Sequence, residues 1–459
     1  MQKSKLISDF TTGSIPKQLT RFMLPFMASN ALQVAYSLVD MVIVGQFVGS
    51  AGLAGVSQGS MLTNLFAMFC MGFSNGGQII ISQLIGANRK HELNSVIGTI
   101  FSVILSAGIV LSILSLSLRE WIVEITNVPP EAKEMALSYI LICGLGLVFT
   151  CGYTMVSAIL RGMGDSRHPF VFITIAAVLN LVLDLLLTGW LGFGVAGAAF
   201  ATSFSQAVSF IISLIFLYRN KEDFHFDFKP SSFRIRWKVC KEVFRLGIPL
   251  ALQVCAINFS MVICNSFINR IGVAATATFG VGTKIDDISN KISQGIQFAG
   301  APMVGQNIGA RNYKRVRSVV YWAWAFSLLI YGVFLACYLL FGREIFGLFT
   351  DDPAVIELAP VFISAISWTF PALAIMRGTT SFLQGTGNAT LLMVLAFADS
   401  LARVVLGYLI GIVGGFGFYG FVLGYALAAY FIIIPGMLYF FFAPWTKRKT
   451  IMSEETVET

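Results

Sequence analysis

Long apolar runs recur along the whole chain, and short polar segments separate them. A helix needs about 20 mostly apolar residues to cross the hydrocarbon core of a bilayer. On that template the runs predict helices at 17–44, 53–81, 94–118, 133–160, 168–189, 196–219, 242–267, 277–304, 316–341, 355–382, 390–411 and 418–443. The strand alternation of a membrane β-barrel, with its polar lumen face, is not evident. The first run leads into further spans, so it does not read as a cleavable signal peptide. The pattern therefore predicts an all-α polytopic membrane protein with twelve transmembrane helices.

The pattern also repeats. Thr20-Arg21-Phe22 with Pro25 aligns with Phe244-Arg245-Leu246 with Pro249. Gln83-Leu84-Ile85-Gly86-Ala87 aligns with Gln306-Asn307-Ile308-Gly309-Ala310, and Leu160-Arg161-Gly162-Met163-Gly164 with Leu383-Gln384-Gly385-Thr386-Gly387. The offset stays at 223 or 224. Each half holds six helices, an even number, so the two repeats enter the membrane in the same sense. The expectation is two six-helix lobes related by a pseudo-two-fold axis along the membrane normal, with a substrate cavity between them. The boundaries expected are an N-lobe at 1–218, a cytosolic linker at 219–241, a C-lobe at 242–445 and a cytosolic tail at 446–459.

Composition agrees with this picture. The chain is 56% hydrophobic and 12% charged, against roughly a quarter charged in soluble domains. Its net charge of +8 needs no nucleic acid to explain it. Six segments assigned to one side hold 23 Lys and Arg, and the opposite loops hold only Arg119, Lys133, Arg270 and Arg343. That asymmetry predicts a multi-pass protein of the cytoplasmic membrane with both termini cytoplasmic. The run from Arg219 to Arg245 reads as a topology signal on the connector between halves. A lipid or partner patch is the other reading. The seven cysteines are odd in number and fall mostly inside apolar runs, so they read as small core residues and not as a disulfide framework.

Several motifs resemble chemistry without supporting it. Gly192-x-Gly194-x-x-Gly197 and Gly415-x-Gly417-x-x-Gly420 fit a dinucleotide fingerprint. That fingerprint needs a preceding strand and an acid about 20 residues on. Here the glycines join two membrane helices and repeat at the common offset. They are expected to be turns needing positive φ and close backbone approach. No phosphate-binding loop is present, and His91, His168 and His225 all lie in loops. Nothing points to an enzyme or to a cofactor.

The charges inside the spans are the functional candidates. Lys284, Asp287 and Lys291 share a face of helix 8, while Asp399 and Arg403 sit four apart on helix 11, acid before base. With Asp286 they balance as three acids and three bases. They form either an ion-pair network or charges on a cavity wall. The first half differs. Asp40 and Asp184 have no basic partner within its helices, and Asn180 and Thr202 fall near their depth. Two desolvated acids without a base must bind a cation or take up protons. Hard oxygen ligands suit a proton or Na⁺. At the common offset Asn180 maps to Arg403, Asp184 to Gly407 and Thr202 to Tyr425, so the second half has no copy of this group.

With these features the chain resembles the multidrug and toxic compound extrusion (MATE) family over roughly residues 15–445, within the multidrug/oligosaccharidyl-lipid/polysaccharide flippase superfamily. The likeness rests on the double repeat, Pro25 followed by Asp40, both Gln-x-x-Gly-Ala signatures, the Arg161–Asp165 stretch and the Asn180–Asp184 pair. In its DinF-like branch, which the chain matches at all four positions, Asp40, Asn180, Asp184 and Thr202 would form the cation site. The resemblance adds Tyr36 and Tyr139 as aromatics lining that network, and Pro25 as the point where helix 1 bends. Helix 4 departs from the pattern, with Thr154 and Ser157 where related members carry asparagines. Helix 7 offers Gln253 and Asn258, and helix 10 has no mid-span acid. C-lobe Na⁺ coupling through acids on those helices is therefore not expected.

The function implied is a multidrug efflux antiporter, coupled to H⁺ or Na⁺ and working by alternating access. It would act as a monomer on small amphipathic, mostly cationic compounds in the lipid bilayer. The alternative is a lipid-linked precursor flippase of the same superfamily, with Lys284, Arg377 and Arg403 supplying a cationic cavity.

Overall fold

A computed structural model describes residues 6–126 and 128–447. Its elements are helical. The first half comprises α1 (Ile15–Phe47), α2 (Ser50–Gly86), α3 (Leu93–Ile125), α4 (Pro130–Gly162), α5 (Arg167–Leu183) and α6 (Gly194–Arg219). The second half comprises α7 (Trp237–Asn269), α8 (Val273–Gly309), α9 (Tyr313–Gly347), α10 (Pro353–Ile366), α11 (Thr369–Gly385), α12 (Ala389–Tyr408), α13 (Gly417–Ala428) and α14 (Tyr430–Phe442). The α10–α11 pair is one span bent by 49°, and α13–α14 forms another span over Gly417–Phe442. Ten spans are apolar enough to cross a bilayer, and the bent pair makes eleven. The twelfth is α8, whose charged residues lower its apolarity. At about 1.5 Å per residue it is more than long enough to cross. The chain is thus a multi-pass membrane protein with the two-lobe, all-helical fold expected. The expected C-terminal tail lies outside the described residues beyond Lys447.

The chain divides into two compact units that do not follow the sequence halves. Among the described residues, unit 1 contains 6–10 and 28–251, and unit 2 contains 11–27 and 252–447. The division falls inside α1 and α7, between Met27 and Ala28 and between Ala251 and Leu252. In each case a proline, Pro25 or Pro249, lies just before the crossing. A helix-interior proline removes one backbone hydrogen bond and admits a bend.

Unit 1 is organised around α4, which packs against α2, α3 and α6. Close approach relies on small residues, as is common between membrane helices. A Cβ on Gly146 would stand 2.6 Å from the Ser203 hydroxyl of α6. The Arg161–Asp165 stretch is structural. Arg161 Nε donates to Gln78 Oε1 at 2.8 Å, tying α4 to α2, and Asp165 Oδ1 accepts the Arg167 backbone amide at 3.0 Å at the start of α5. The cysteine expectation needs correction. Cys70 of α2 and Cys151 of α4 form a disulfide, with Cα atoms 5.5 Å apart. Their separation of 81 residues hid the pairing, which follows from helix packing and not from spacing.

The glycine turns are as expected. Gly192 and Gly194 have φ of 70° and 57°, and Gly415 and Gly417 have 73° and 52°. The third glycine of each motif makes a close backbone approach; a Cβ on Gly420 would lie 2.7 Å from the Ile410 carbonyl oxygen. In unit 2, α8 packs on α9, α10 and α11, and Phe279, Tyr331, Phe346, Phe362 and Phe370 fill its core.

Candidate functional site

The candidate residues of the first half come together in unit 1. Asp40 lies on α1 one turn after Tyr36. Asp184 follows α5 and opens a π-helical turn, Asp184–Trp190. The second half has a matching π turn at Leu409–Val413, so the irregular backbone belongs to the repeat. Only the first half places an acid there. Such turns concentrate at functional sites because they re-aim side chains within a helix.

The Asp40 and Asp184 carboxyl groups lie near enough to feel each other's charge. Asp184 is 1% exposed, and neither of its oxygens has a hydrogen-bond partner among the described residues; the same holds for Asp40 Oδ1. Asn180 Nδ2 donates to Thr202 Oγ1 at 3.5 Å, joining α5 to α6. Tyr36, Asn180, Thr202 and Gln206 border a cavity of about 20 Å³, enough for one water or a small cation. Tyr139 of α4 lies close to both carboxyls and is seated against α2 at Gly59, where a Cβ would come 2.7 Å from its ring.

Sequence reading missed two polar neighbours. Gln206 and Ser205 line the cavity, and each has a buried oxygen, Oε1 and Oγ, without a partner among the described residues. The signal was present for Gln206, which lies one helical turn from Thr202 on the same face.

The arrangement has a definite chemical meaning. A buried carboxylate and a half-buried one placed close together repel each other unless a proton or cation lies between them. No lysine or arginine pairs with either among the described residues. The donor set of carboxylate, amide and hydroxyl oxygens fits a proton or Na⁺ equally. No cluster of three His, Cys, Asp or Glu suited to a metal occurs among the described residues.

The second half fills the equivalent positions differently. Arg403, equivalent to Asn180, stacks over the ring of Tyr425, equivalent to Thr202, at 4.5 Å from its centroid. Arg403 Nη2 also donates to Asp399 Oδ2 at 2.9 Å, closing the expected pair. Lys284 and Asp287 have exposed side chains and form no ion pair among the described residues, while their helical neighbour Asp286 is the buried acid. Adjacent positions on a helix point about 100° apart, so one residue decides which acid faces inward. Asp286 Oδ2 accepts from Asn290 Nδ2 at 3.1 Å. Arg377 is the hub of this interior, donating to Asn290 Oδ1 at 2.8 Å, Tyr331 Oη at 3.2 Å and Gln297 Oε1 at 3.3 Å.

Known proteins share this architecture. The chain is 27% identical to the Probable multidrug resistance protein YpnP of Bacillus subtilis (strain 168) over 388 residues, covering 84% of this chain and 86% of that protein. It is 26% identical to the Probable multidrug resistance protein NorM of Thermotoga maritima over 450 residues, covering 97% and 96%. Among solved structures, one described as MATE in complex with MaL6 superposes with a TM-score of 0.89 at 22% identity, covering 96% of this chain and 97% of that one. The MatE family model matches residues 25–186 and again 249–409, once in each repeat. The chain therefore belongs to the MatE family, the multidrug and toxic compound extrusion transporters.

Proposed function

We propose that this chain is a cation-coupled multidrug efflux antiporter of the DinF-like branch, exporting amphipathic, mostly cationic compounds by alternating access. The observation that carries this reading is the closeness of Asp40 and Asp184, whose buried oxygens have no hydrogen-bond partner and no neutralising base among the described residues. Such a pair is poised to bind H⁺ or Na⁺ and to release it when the surrounding helices rearrange. Pro25 admits a bend in α1, which also carries Asp40, so occupancy of the acids and the shape of α1 are linked. The multidrug names of the relatives support the cargo class. In this reading the protein is a monomer of the cytoplasmic membrane, with both termini and the basic linker on the cytoplasmic side.

The test is export of a fluorescent cation from proteoliposomes under an imposed proton or Na⁺ gradient. Gradient-driven export by the wild type, lost in Asp40→Asn and in Asp184→Asn, is the expected result. Undiminished gradient-driven export by both variants would sink the coupling assignment. The exposed Lys284 on α8 favours a second reading, a flippase for an anionic lipid-linked precursor. Scrambling of a lipid pyrophosphate without drug export would select it.

A further inference from the structure

A second cavity, of about 480 Å³, lies in unit 1 far along α6 from the acids, between α3, α6 and the linker. Phe101 and Leu105 of α3, Phe210 and Leu214 of α6, and Phe228 and Phe233 of the linker wall it. Its volume is that of a small-molecule site, about 300–1,000 Å³. The walls are fixed in place. Ser102 Oγ donates to the Phe233 carbonyl oxygen at 2.6 Å, and the Arg236 amide donates to Thr99 Oγ1 at 3.2 Å. The Asp227 amide donates to Asn94 Oδ1 at 3.2 Å, and Phe101 stacks on Phe226 at 5.6 Å. The space is therefore built into the linker's fold.

Two features identify an occupant. Ile215 and Tyr218 of α6, which also line the cavity, are exposed, as is Ile211 one turn before Ile215, so the cavity opens onto an apolar surface suited to lipid chains. At the same end, the last residue of α6, Arg219, is part of the lining and is itself exposed. Lys221 Nζ lies 5.5 Å from the centre of the Tyr218 ring, adding a second cation near the rim. From Arg219 to Arg245 the chain carries eight basic and four acidic residues. One of those acids, Asp227, is engaged by the Ser232 hydroxyl at 2.6 Å and the Lys229 amide at 3.1 Å. An apolar chamber with a cation at its mouth complements an acyl chain bearing an anionic head. It disfavours a cationic amphiphile, which would meet like charge.

We propose that the phenylalanine-walled cavity between α3, α6 and the linker binds one anionic phospholipid, its acyl chain inside and its phosphate on Arg219. The bound lipid would brace the linker that joins the two repeats. This site is separate from the coupling acids and does not depend on the reading given to them.

The test is native mass spectrometry of the full chain in detergent. The probes are phosphatidylglycerol, phosphatidylcholine with the same acyl chains, and inorganic phosphate. The wild type should retain one phosphatidylglycerol about fivefold better than phosphatidylcholine, the factor expected of one cation near an anionic head. Arg219→Gln, at an exposed position, should fold normally and narrow the preference for phosphatidylglycerol, and Arg219→Gln with Lys221→Gln should equalise the two lipids. Leu214→Trp should fill the chamber and lower retention of both. Equal retention of both lipids by the wild type would overturn the proposal, as would lipid retention unchanged in all three variants. Retention of phosphate alone, or displacement of the lipid by a cationic dye at equal concentration, would also overturn it. Asp40→Asn should leave lipid retention intact, which separates this outcome from failure of the coupling reading.

Discussion

The guanidinium of Arg403 lies over the Tyr425 ring while it donates to Asp399 at 2.9 Å, at repeat positions where the first half has Asn180 donating to Thr202. The same backbone geometry thus carries a fixed, neutralised charge in one half and an uncharged contact beside two free acids in the other. Asp399 is buried and Arg403 only 11% exposed, so removing one partner strands the other charge. Arg403→Met should destabilise the protein by about 3–5 kcal/mol. Asp399→Leu added to Arg403→Met should recover most of that loss. Thermal unfolding of the single and double variants in detergent checks this. A double variant as unstable as the single would show that the pair does more than neutralise itself.

Asp40 and Asp184 act on one ion if they share it, so their losses should not add. Asp40→Asn and Asp184→Asn should each lower gradient-driven export at least about tenfold, and the double variant should be no worse than the weaker single. Thr202→Val separates the two ions. Na⁺ needs neutral oxygens to complete its shell, so this variant should weaken Na⁺-driven export about tenfold. A proton needs only the carboxyls, and proton-driven export should then survive. Transport measured under each gradient in turn reads the difference.

The spans, the repeat and the grouping of Asp40, Asn180, Asp184 and Thr202 were legible because they depend on local period and depth. Apolar runs count residues across the bilayer, and a helix position converts directly into depth. Azimuth was less legible. Asp286 and Asp287 share a depth, but only packing decides that Asp286 faces the interior. The partners of Arg377 were hidden for the same reason; it reaches Asn290, Tyr331 and Gln297. Contacts between distant segments were invisible. The Cys70–Cys151 bridge and the passage of α1 and α7 from one unit to the other depend on which helix lies beside which.

The Cys70–Cys151 bridge joins α2 to α4 inside unit 1, where the two residues are 1% and 0% exposed. A crosslink over so long a loop removes denatured-state entropy worth about 2–4 kcal/mol. Cys70→Ser with Cys151→Ser should lower the unfolding temperature accordingly. The thiol count gives an independent check. Cys143, Cys240, Cys255, Cys264 and Cys337 are free. Denatured protein should therefore take up five equivalents of an alkylating reagent without reductant, and seven after reduction. Seven equivalents without reductant would refute the bridge.

One carboxylate outside the membrane spans braces the linker's own turn, next to the bond from the Asp227 backbone amide to Asn94 of α3. Asp227 accepts from the Ser232 hydroxyl at 2.6 Å and from the Lys229 amide at 3.1 Å, and these bonds hold its carboxyl below the usual value, the hydroxyl contributing most. A depressed folded-state value means that the ionised form is favoured by folding. The contribution is complete above the ordinary carboxylate value of 3.8 and is lost only as pH falls through the still lower folded value. This bracing of the linker should therefore be constant from alkaline pH down to about 5, since both states are then ionised. Asp227→Ala removes the carboxylate's bonds to Ser232 and Lys229 at any pH and keeps the backbone bond to Asn94. At neutral pH this variant should expose the 226–236 segment, and trypsin should cut after Arg234 faster than in the wild type. Equal cleavage rates would show that the phenylalanine cluster and the Ser102–Phe233 bond hold the linker without the carboxylate.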